Sequence, residues 1–206
     1  MYKSFIKRLI DLIFAIIALP FICLVFIVVA PIIFSEDKGP VFYSAPRVGK
    51  KGKIFNMYKF RSMTVNSPDL RTADGSTYNS PSDPRVTKIG RILRKTSLDE
   101  IPQFINVLKG DMSLIGPRAH LADHFVSYDA YDDIHKKRLL VRPGITGYTQ
   151  AYFRNSVSAD EKLLNDVYYV DNLTFGMDMK IFFKTISSVL KHENVFVSGE
   201  KTEVRK

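Results

Sequence analysis

The N-terminal part of the chain contains one long stretch without charged residues, from Leu12 to Phe34. At about 1.5 Å of rise per residue, a helix of these 23 residues could cross a hydrocarbon core of roughly 30 Å. Pro20 lies within the stretch and removes one backbone hydrogen bond, which predicts a kink at Leu19 and Pro20. Both flanks are basic, and cytosolic flanks tend to carry Lys and Arg. The residues alone therefore leave two structures open: a re-entrant hairpin with both ends on one side of the membrane, and a kinked transmembrane helix.

Beyond this stretch, the polar and apolar pattern predicts extended segments followed by helices. Residues 41–63 read as short strands with glycine turns, and residues 66–84, rich in Ser, Thr, Asp, Asn and Pro, read as a long loop. The predicted helices span residues 86–94, 98–109, 120–140 and 160–191. The apolar stripe of the last helix suits either a core or a membrane interface. The pattern as a whole predicts an α+β fold that is mostly helical.

Length and charge narrow the class of protein only in part. The chain has 206 residues, which suits one domain or one domain with a membrane segment. Its formal net charge of +9 indicates an anionic partner, and nucleic acid, anionic lipid and a phosphorylated substrate all fit that sign. No recognition-helix pattern or stacked aromatic platform favours nucleic acid, so we expect no nucleic-acid partner. Cys23 is the single cysteine, which excludes an intrachain disulfide.

The acidic pair Asp99 and Glu100 is the candidate centre of the chemistry. Pro102 lacks an N–H and belongs in a first helical turn, so a helix is predicted to start near Leu98 or Asp99. The positive end of the helix dipole would stabilise both carboxylates and could bind phosphate. Ser97 followed by Glu100 also matches a capping box, an ordinary reason for acidic residues in a first turn.

Cationic residues around the acidic pair favour phosphoryl transfer. Arg94 precedes the pair, and Arg118 follows it in a Gly-Pro-Arg step. A carboxylate can attack phosphorus only if the like charges are neutralised, and Mg²⁺ and arginines can supply that neutralisation. Adjacent residues on a helix point about 100° apart, so one carboxylate can be the nucleophile while its neighbour holds metal. The same geometry argues against a glycosidase pair, whose carboxylates must face each other across a sugar.

A third candidate segment runs from Arg142 to Gln150. Pro143 and Gly144 indicate a turn, and glycine lets the backbone approach a ligand. Arg142 could bind a phosphate or stack on a base, but it could equally be a solvated surface arginine.

Together these segments resemble the bacterial sugar transferase family of monotopic phosphoglycosyl transferases, from Lys7 to about Lys191. The motifs that carry the resemblance are, in order, Lys7-Arg8 with Asp11, the proline-broken apolar segment, Pro46-Arg47-Val48-Gly49, Tyr58-Lys59-Phe60-Arg61-Ser62-Met63, Ser97-Leu98-Asp99-Glu100, Gly110-Asp111-Met112-Ser113, Gly116-Pro117-Arg118, Arg142-Pro143-Gly144-Ile145-Thr146-Gly147 and Asp166-Val167-Tyr168-Tyr169-Val170. So many motifs in one order make the resemblance specific.

For the fold, the resemblance implies a membrane-anchored protein of three parts. Residues 1–35 would form a re-entrant helix-break-helix, broken at Leu19 and Pro20, that returns to the cytosolic face of the inner membrane. Residues 36–194 would form a small cytosolic catalytic domain with interfacial amphipathic helices. Residues 195–206 would be a C-terminal tail. The resemblance also allows an oligomer.

For the chemistry, the resemblance implies transfer of a sugar-1-phosphate from a UDP-sugar to polyprenyl (undecaprenyl) phosphate, the first membrane step in bacterial glycan assembly. UMP would be released, and the reaction would pass through a covalent aspartyl-phosphosugar intermediate. Asp99 would be the nucleophile, and Glu100 would help it to hold Mg²⁺. The other positions implied to lie at phosphate or nucleotide are Lys59, Arg94, Arg118, Arg142, Pro143 and Gly144.

The chain departs from the family pattern at three places. Leu19 precedes Pro20 where serine is usual, Ala119 stands where a second proline is usual, and Tyr148-Thr149 replaces Trp-Ala. Two other classes also stay open. A membrane-anchored glycosyltransferase would release UDP instead of UMP, and a basic membrane adaptor would release no nucleotide. The sequence does not identify the sugar or the polymer.

Overall fold

The structure is a computed structural model that describes residues 2–70, 78, 80, 82–123, 125–153 and 156–191. The predicted tail at 195–206 lies outside the described residues, and so does part of the predicted loop at 66–84.

The uncharged N-terminal stretch lies within one long helix. A π-helical turn, Tyr2–Ile6, leads into α1, Lys7–Asp37, which ends where Lys38 adopts the left-handed conformation with φ of 58°. The helix runs continuously through Leu19 and Pro20, so the predicted division into two separate helices at this step is not found. An interior proline removes one hydrogen bond and crowds the carbonyl four residues before it, but its fixed φ suits a helix, and such prolines are tolerated in membrane helices.

One face of α1 packs on the remainder of the protein, and the other face is left uncovered. The buried residues recur at intervals of four or seven and so form a single stripe: Asp11, Ala15, Ile22, Val29 and Ile33. Large apolar side chains such as Ile17 and Ile27 are exposed on α1, at 69% and 68%. The helix is long and apolar enough to cross a membrane, and this uncovered apolar surface indicates membrane association.

Both ends of α1 are bound to the following part of the chain. Near the first turn, the Arg8 Nη1 donates to the carbonyl of Val107 at 2.7 Å. In the last turn, the Asp37 Oδ1 accepts from the Arg61 Nη2 at 2.6 Å. The domain therefore holds the helix at its two ends as well as along its buried stripe.

The predicted strands form an antiparallel hairpin that carries one cation of the site. Strand β1, Phe42–Val48, pairs with β2, Ile54–Phe60, and the register places Tyr43 opposite Lys59 and Arg47 opposite Phe55. A 3₁₀ turn, Lys50–Gly52, lies between the strands.

The segment after the hairpin holds the acidic pair between two short helices. Helix α2, Lys88–Thr96, is followed by a 3₁₀ turn, Leu98–Glu100, and then by α3, Gln103–Lys109, which ends at Gly110 with φ of 89°. Strand β3, Ser113–Ile115, follows, and β4, His120–Leu121, pairs with β1 to give the sheet order β2-β1-β4.

The C-terminal half is mostly helical. It contains α4, Asp133–Arg138, strand β5, Gly144–Thr146, parallel to β3, and then α5, Tyr148–Tyr152, α6, Ala159–Asp171, and α7, Phe175–Leu190. The mostly helical α+β class is confirmed, but in this half of the chain one predicted helix is shorter than expected and another is divided. Residues 120–140 form a helix only from Asp133, where the Asp132 side chain caps it. The predicted helix at 160–191 is two helices, because Thr174 adopts an extended conformation and caps the N-terminus of α7.

Candidate functional site

The acidic pair lies in a 3₁₀ turn between α2 and α3 and not in the first turn of an α-helix. Ser97 ends α2 in the left-handed conformation, with φ of 59°, and Pro102 is the N-cap residue of α3. A helical turn therefore starts at Leu98, as predicted, but it is 3₁₀, and the α-helix itself begins only at Gln103. Asp99 and Glu100 thus lie in a 3₁₀ turn that precedes the first turn of α3.

The capping-box alternative for Glu100 is wrong. The Ser97 side chain makes no cap hydrogen bond. The Glu100 Oε1 instead accepts from the Lys59 Nζ at 2.6 Å and from the Arg118 Nη2 at 3.1 Å. Burial by itself would raise the pKa of Glu100, but Lys59 and Arg118 outweigh it and lower the pKa to about 2. Glu100 is therefore ionised and held by two cations that lie far from it in the sequence.

Asp99 is buried and has the opposite electrostatic balance. Its Oδ2 lies 3.9 Å from the Lys59 Nζ, at the limit of an ion pair, and its residue is 9% exposed. Burial raises the pKa of Asp99, the neighbouring Glu100 raises it further, and Lys59 and Arg94 oppose both effects. Two adjacent carboxylates thus have pKa values shifted in opposite directions, which is typical of a pair with separate chemical roles.

Arg94 approaches the pair from α2. Its Nε donates to the Ser62 Oγ at 2.9 Å, just beyond the end of β2. Its charge favours the ionised form of Asp99. Lys59 from β2, Arg94 from α2 and Arg118 from the segment after β3 therefore converge on one pair of carboxylates. Phosphate binding by these three residues stays a prediction.

A buried ion pair positions the backbone of Arg118. The Arg138 Nε donates to the Asp166 Oδ2 at 2.7 Å, and the Arg138 Nη2 donates to the Arg118 carbonyl at 2.5 Å. The other Asp166 oxygen accepts from the Thr149 hydroxyl at 2.9 Å. Sequence analysis missed Arg138, because nothing in a Lys-Lys-Arg run distinguishes one buried arginine from exposed neighbours.

The segment at Arg142, Pro143 and Gly144 does not contact the acidic pair. The Arg142 Nε donates to the Gly110 carbonyl at 2.8 Å, at the opposite end of α3, so about 10 Å of helix separates it from the acidic turn. The Gly144 N–H donates to the Pro117 carbonyl at 2.9 Å, which supports the step that carries Arg118. A Cβ at position 144 would lie 2.1 Å from the backbone nitrogen of Gly116, so only glycine fits there.

The donor set at the acidic pair suits Mg²⁺ in part. Mg²⁺ takes oxygen ligands and commonly binds through one or two carboxylates together with substrate phosphates. Both hydrogen bonds to Glu100 are made to Oε1. Within the described ranges, no group of three or more His, Cys, Asp or Glu side chains could hold a metal ion by itself. A metal held by Asp99 and Glu100 would therefore need phosphate oxygens from the substrate.

Comparison with known proteins assigns this arrangement to a family. A family model described as bacterial sugar transferase matches residues 2–192. A curated relative from Aeromonas hydrophila, named UDP-N-acetylgalactosamine-undecaprenyl-phosphate N-acetylgalactosaminephosphotransferase, is 40% identical over 91% of this chain and 44% of its own. The undecaprenyl-phosphate galactose phosphotransferase of Salmonella typhimurium is 38% identical over 94% of this chain and 42% of its own.

A third relative is similar in length to this chain. The uncharacterized sugar transferase EpsL of Bacillus subtilis is 40% identical over 97% of this chain and 95% of its own. The chain spans less than half the length of the first two relatives. The similarity to those proteins therefore covers one part of each.

Proposed function

Because this chain belongs to the bacterial sugar transferase family, we propose that it transfers a sugar-1-phosphate from a UDP-sugar to polyprenyl phosphate and releases UMP. Undecaprenyl phosphate is the proposed acceptor, since it appears in the names of the relatives from Aeromonas hydrophila and Salmonella typhimurium. The observation that carries the proposal is the buried Asp99 beside an ionised Glu100, with Lys59, Arg94 and Arg118 around them.

The proposed reaction has two displacement steps at one phosphorus atom. In the first, a carboxylate oxygen of Asp99 bonds to the sugar-bearing phosphorus, the bond from that phosphorus to the bridging oxygen breaks, and UMP leaves. In the second, a phosphate oxygen of the polyprenyl phosphate attacks the same phosphorus, and the bond to Asp99 breaks. The products are UMP and a polyprenyl diphosphate sugar, and Asp99 is regenerated.

The two carboxylates are suited to different parts of this reaction. Asp99 must be ionised to attack, and Lys59 and Arg94 favour its ionised form against the effect of burial. Glu100 holds the side chains of Lys59 and Arg118 in place through its Oε1. Two guanidinium groups and an ammonium group can stabilise the charge that develops on the transferred phosphoryl group.

We also propose that Asp99 and Glu100 hold Mg²⁺ together with substrate phosphate oxygens. When bound, Mg²⁺ would supply electrostatic screening of the phosphates. The adjacent carboxylates fit this role because they are oxygen ligands placed one residue apart.

The proposed topology is monotopic, on the cytosolic face of the inner membrane. The contacts that hold both ends of α1 to the same domain, through Arg8 and Asp37, support a helix that enters and leaves on one side. Labelling of Lys3→Cys and Lys38→Cys in a Cys23→Ser background tests this in sealed vesicles. A membrane-impermeant maleimide should label both positions from the same side, and labelling from opposite sides would establish a spanning helix.

Nucleotide release tests the proposed reaction. The protein in detergent would be given undecaprenyl phosphate and a panel of UDP-sugars that includes UDP-galactose and UDP-N-acetylgalactosamine. We expect UMP release by the wild type, none by Asp99→Asn, and release at the wild-type rate by Asp132→Asn, which changes an exposed carboxylate. Release of UDP would indicate a glycosyltransferase, and substantial UMP release by Asp99→Asn would exclude Asp99 as the nucleophile.

A further inference from the structure

Arg47 lies on the same face of the hairpin as Lys59. The register sets Tyr43 opposite Lys59 and Arg47 opposite Phe55, and strand residues two or four positions apart share a face. The Arg47 Nη1 donates to the carbonyl of Ala119 at 3.4 Å, directly after Arg118. Arg47 therefore continues the row of cations that begins at Lys59 and passes through Arg118.

The Arg47 guanidinium makes no close ion pair within the described residues, although Asp123 and Glu100 act on its charge from farther away. No carboxylate there lies within 4.0 Å of it, and its Nε is buried without a hydrogen-bond partner. Burial, with Arg118 as the next cause, lowers the pKa of Arg47 to about 10, so Arg47 is still protonated near neutral pH. A buried charged donor without an acceptor is unfavourable. The hydrogen bond from the Arg47 Nη1 to the Ala119 carbonyl is long, at 3.4 Å, and leaves the Nε without a partner.

The charges around the acidic pair do not balance. Four cations lie along the site against the two carboxylates of the pair: Lys59, Arg94, Arg118 and Arg47. The two carboxylates of the pair therefore leave two positive charges over, although Asp83 and Asp123 act on Arg94 and Arg47 from beyond ion-pair distance. A single phosphate at the acidic turn would leave Arg47 without an anion. A second phosphate next to it could bind Arg47 and offset the remaining positive charge.

We propose that Arg47 and Arg118 bind a second phosphate group, next to the phosphorus that Asp99 attacks. This inference rests on the proposed function. The second phosphate has two sources in that reaction: the phosphate that departs in UMP, and the phosphate of the polyprenyl acceptor. Arg47 would thus act on the substrate directly, with a planar guanidinium that can make two parallel hydrogen bonds to phosphate oxygens.

Two measurements on the same variants separate the sources. Arg47→Met removes the charge, Arg47→Lys keeps the charge without the planar fork, and Arg91→Met is the control, since Arg91 is an exposed cation on α2. The first measurement is the donor dependence of UMP release in a single turnover without acceptor. The second is the KM for undecaprenyl phosphate at saturating UDP-sugar. Thermal melting of each variant shows whether the fold is kept.

We expect Arg47→Met to raise one of these substrate constants about tenfold or more, Arg47→Lys to recover part of the loss, and Arg91→Met to change neither. An effect on the donor alone assigns the site to the UMP phosphate, and an effect on the acceptor alone assigns it to the polyprenyl phosphate. Both constants within twofold of wild type would overturn the inference, as would a fall in kcat and melting temperature with both constants unchanged. If Arg47→Met does not fold, Arg47→Gln takes its place in the same comparison. A wild type that releases no UMP would instead refute the proposed function.

Discussion

Lys59 is the cation shared by both carboxylates, so its removal should weaken the site more than any other single loss of charge. Lys59→Met keeps a side chain of similar length and deletes a charge-assisted hydrogen bond of 2.6 Å to Glu100. Such bonds contribute about 1.5–3 kcal/mol. The ion pair with Asp99 at 3.9 Å corresponds to a gross interaction of about 4 kcal/mol at an effective dielectric constant near 20, before desolvation is subtracted.

A net loss of about 3 kcal/mol in transition-state stabilisation corresponds to a fall on the order of 10²-fold in kcat/KM. The pH profile should move as well. Lys59 opposes the rise in the pKa of Asp99, so its removal raises that pKa further. Because Asp99 must be ionised to attack, the acid limb of kcat/KM should shift to higher pH in Lys59→Met.

The assay is initial-rate UMP release between pH 5 and 9, with the variant shown to be folded by circular dichroism. Lys53→Met is the matched control, because the Lys53 side chain is 80% exposed and its ion pair with Asp111 is long, at 3.9 Å. We expect the activity of this variant to stay within twofold of wild type. A folded Lys59→Met enzyme with wild-type kcat/KM and an unmoved acid limb would refute the assignment of Lys59 to the acidic pair.

Three further predictions concern stability and positioning. Asp99→Asn should melt at or above the wild-type temperature at pH 7.5 and lose this advantage in acid. Folding raises the pKa of Asp99, so the ionised carboxylate lowers the stability of the wild type above that pKa, and this effect disappears once the group is protonated. A clearly lower melting temperature of the variant at pH 7.5 would contradict this. Asp166→Asn should lower the free energy of unfolding by about 3–5 kcal/mol in urea titrations, because it leaves Arg138 buried without its carboxylate, whereas Asp132→Asn at an exposed pair should cost less than about 1 kcal/mol; equal losses in the two variants would refute the difference. Gly144→Ala should reduce UMP release at least tenfold, because the new Cβ would displace the Gly116 backbone that leads to Arg118; unchanged release would show that the segment tolerates the shift.

The general location of the site followed from the sequence because its parts are marked by unusual local composition. A 23-residue uncharged stretch and an acidic pair among cations are rare in an ordinary core, and each of Lys59, Arg94 and Arg118 lies at the pair. The short strands were also predictable, since glycine turns separate them, but their antiparallel pairing was not predicted.

The local conformation of the acidic turn was not predictable from local rules. Ser97 with Glu100 fits a capping box by spacing, but the Glu100 side chain forms ion pairs with Lys59 and Arg118, which are distant in the sequence. These partners come from β2 and from beyond β3, and their approach depends on tertiary packing. A left-handed serine is also uncommon enough that no pattern indicated it.

The support of the site by distant residues was equally hidden. Arg138 and Asp166 are 28 positions apart, and their ion pair exists only because α4 packs on α6. The contact of Arg142 with the Gly110 carbonyl is also tertiary, and it places the arginine at the far end of α3 from the acidic pair. Nucleotide binding at Arg142, Pro143 and Gly144 stays a prediction.

The most direct test of Asp99 as a covalent nucleophile is intact-protein mass spectrometry of the enzyme mixed with its UDP-sugar in the absence of polyprenyl phosphate. The protein should gain the mass of one sugar-phosphate, peptide mapping should place the adduct on Asp99, and undecaprenyl phosphate should discharge it. An enzyme that makes polyprenyl diphosphate sugar with both substrates present, yet never carries the adduct on Asp99, would contradict the two-step reaction and favour direct transfer.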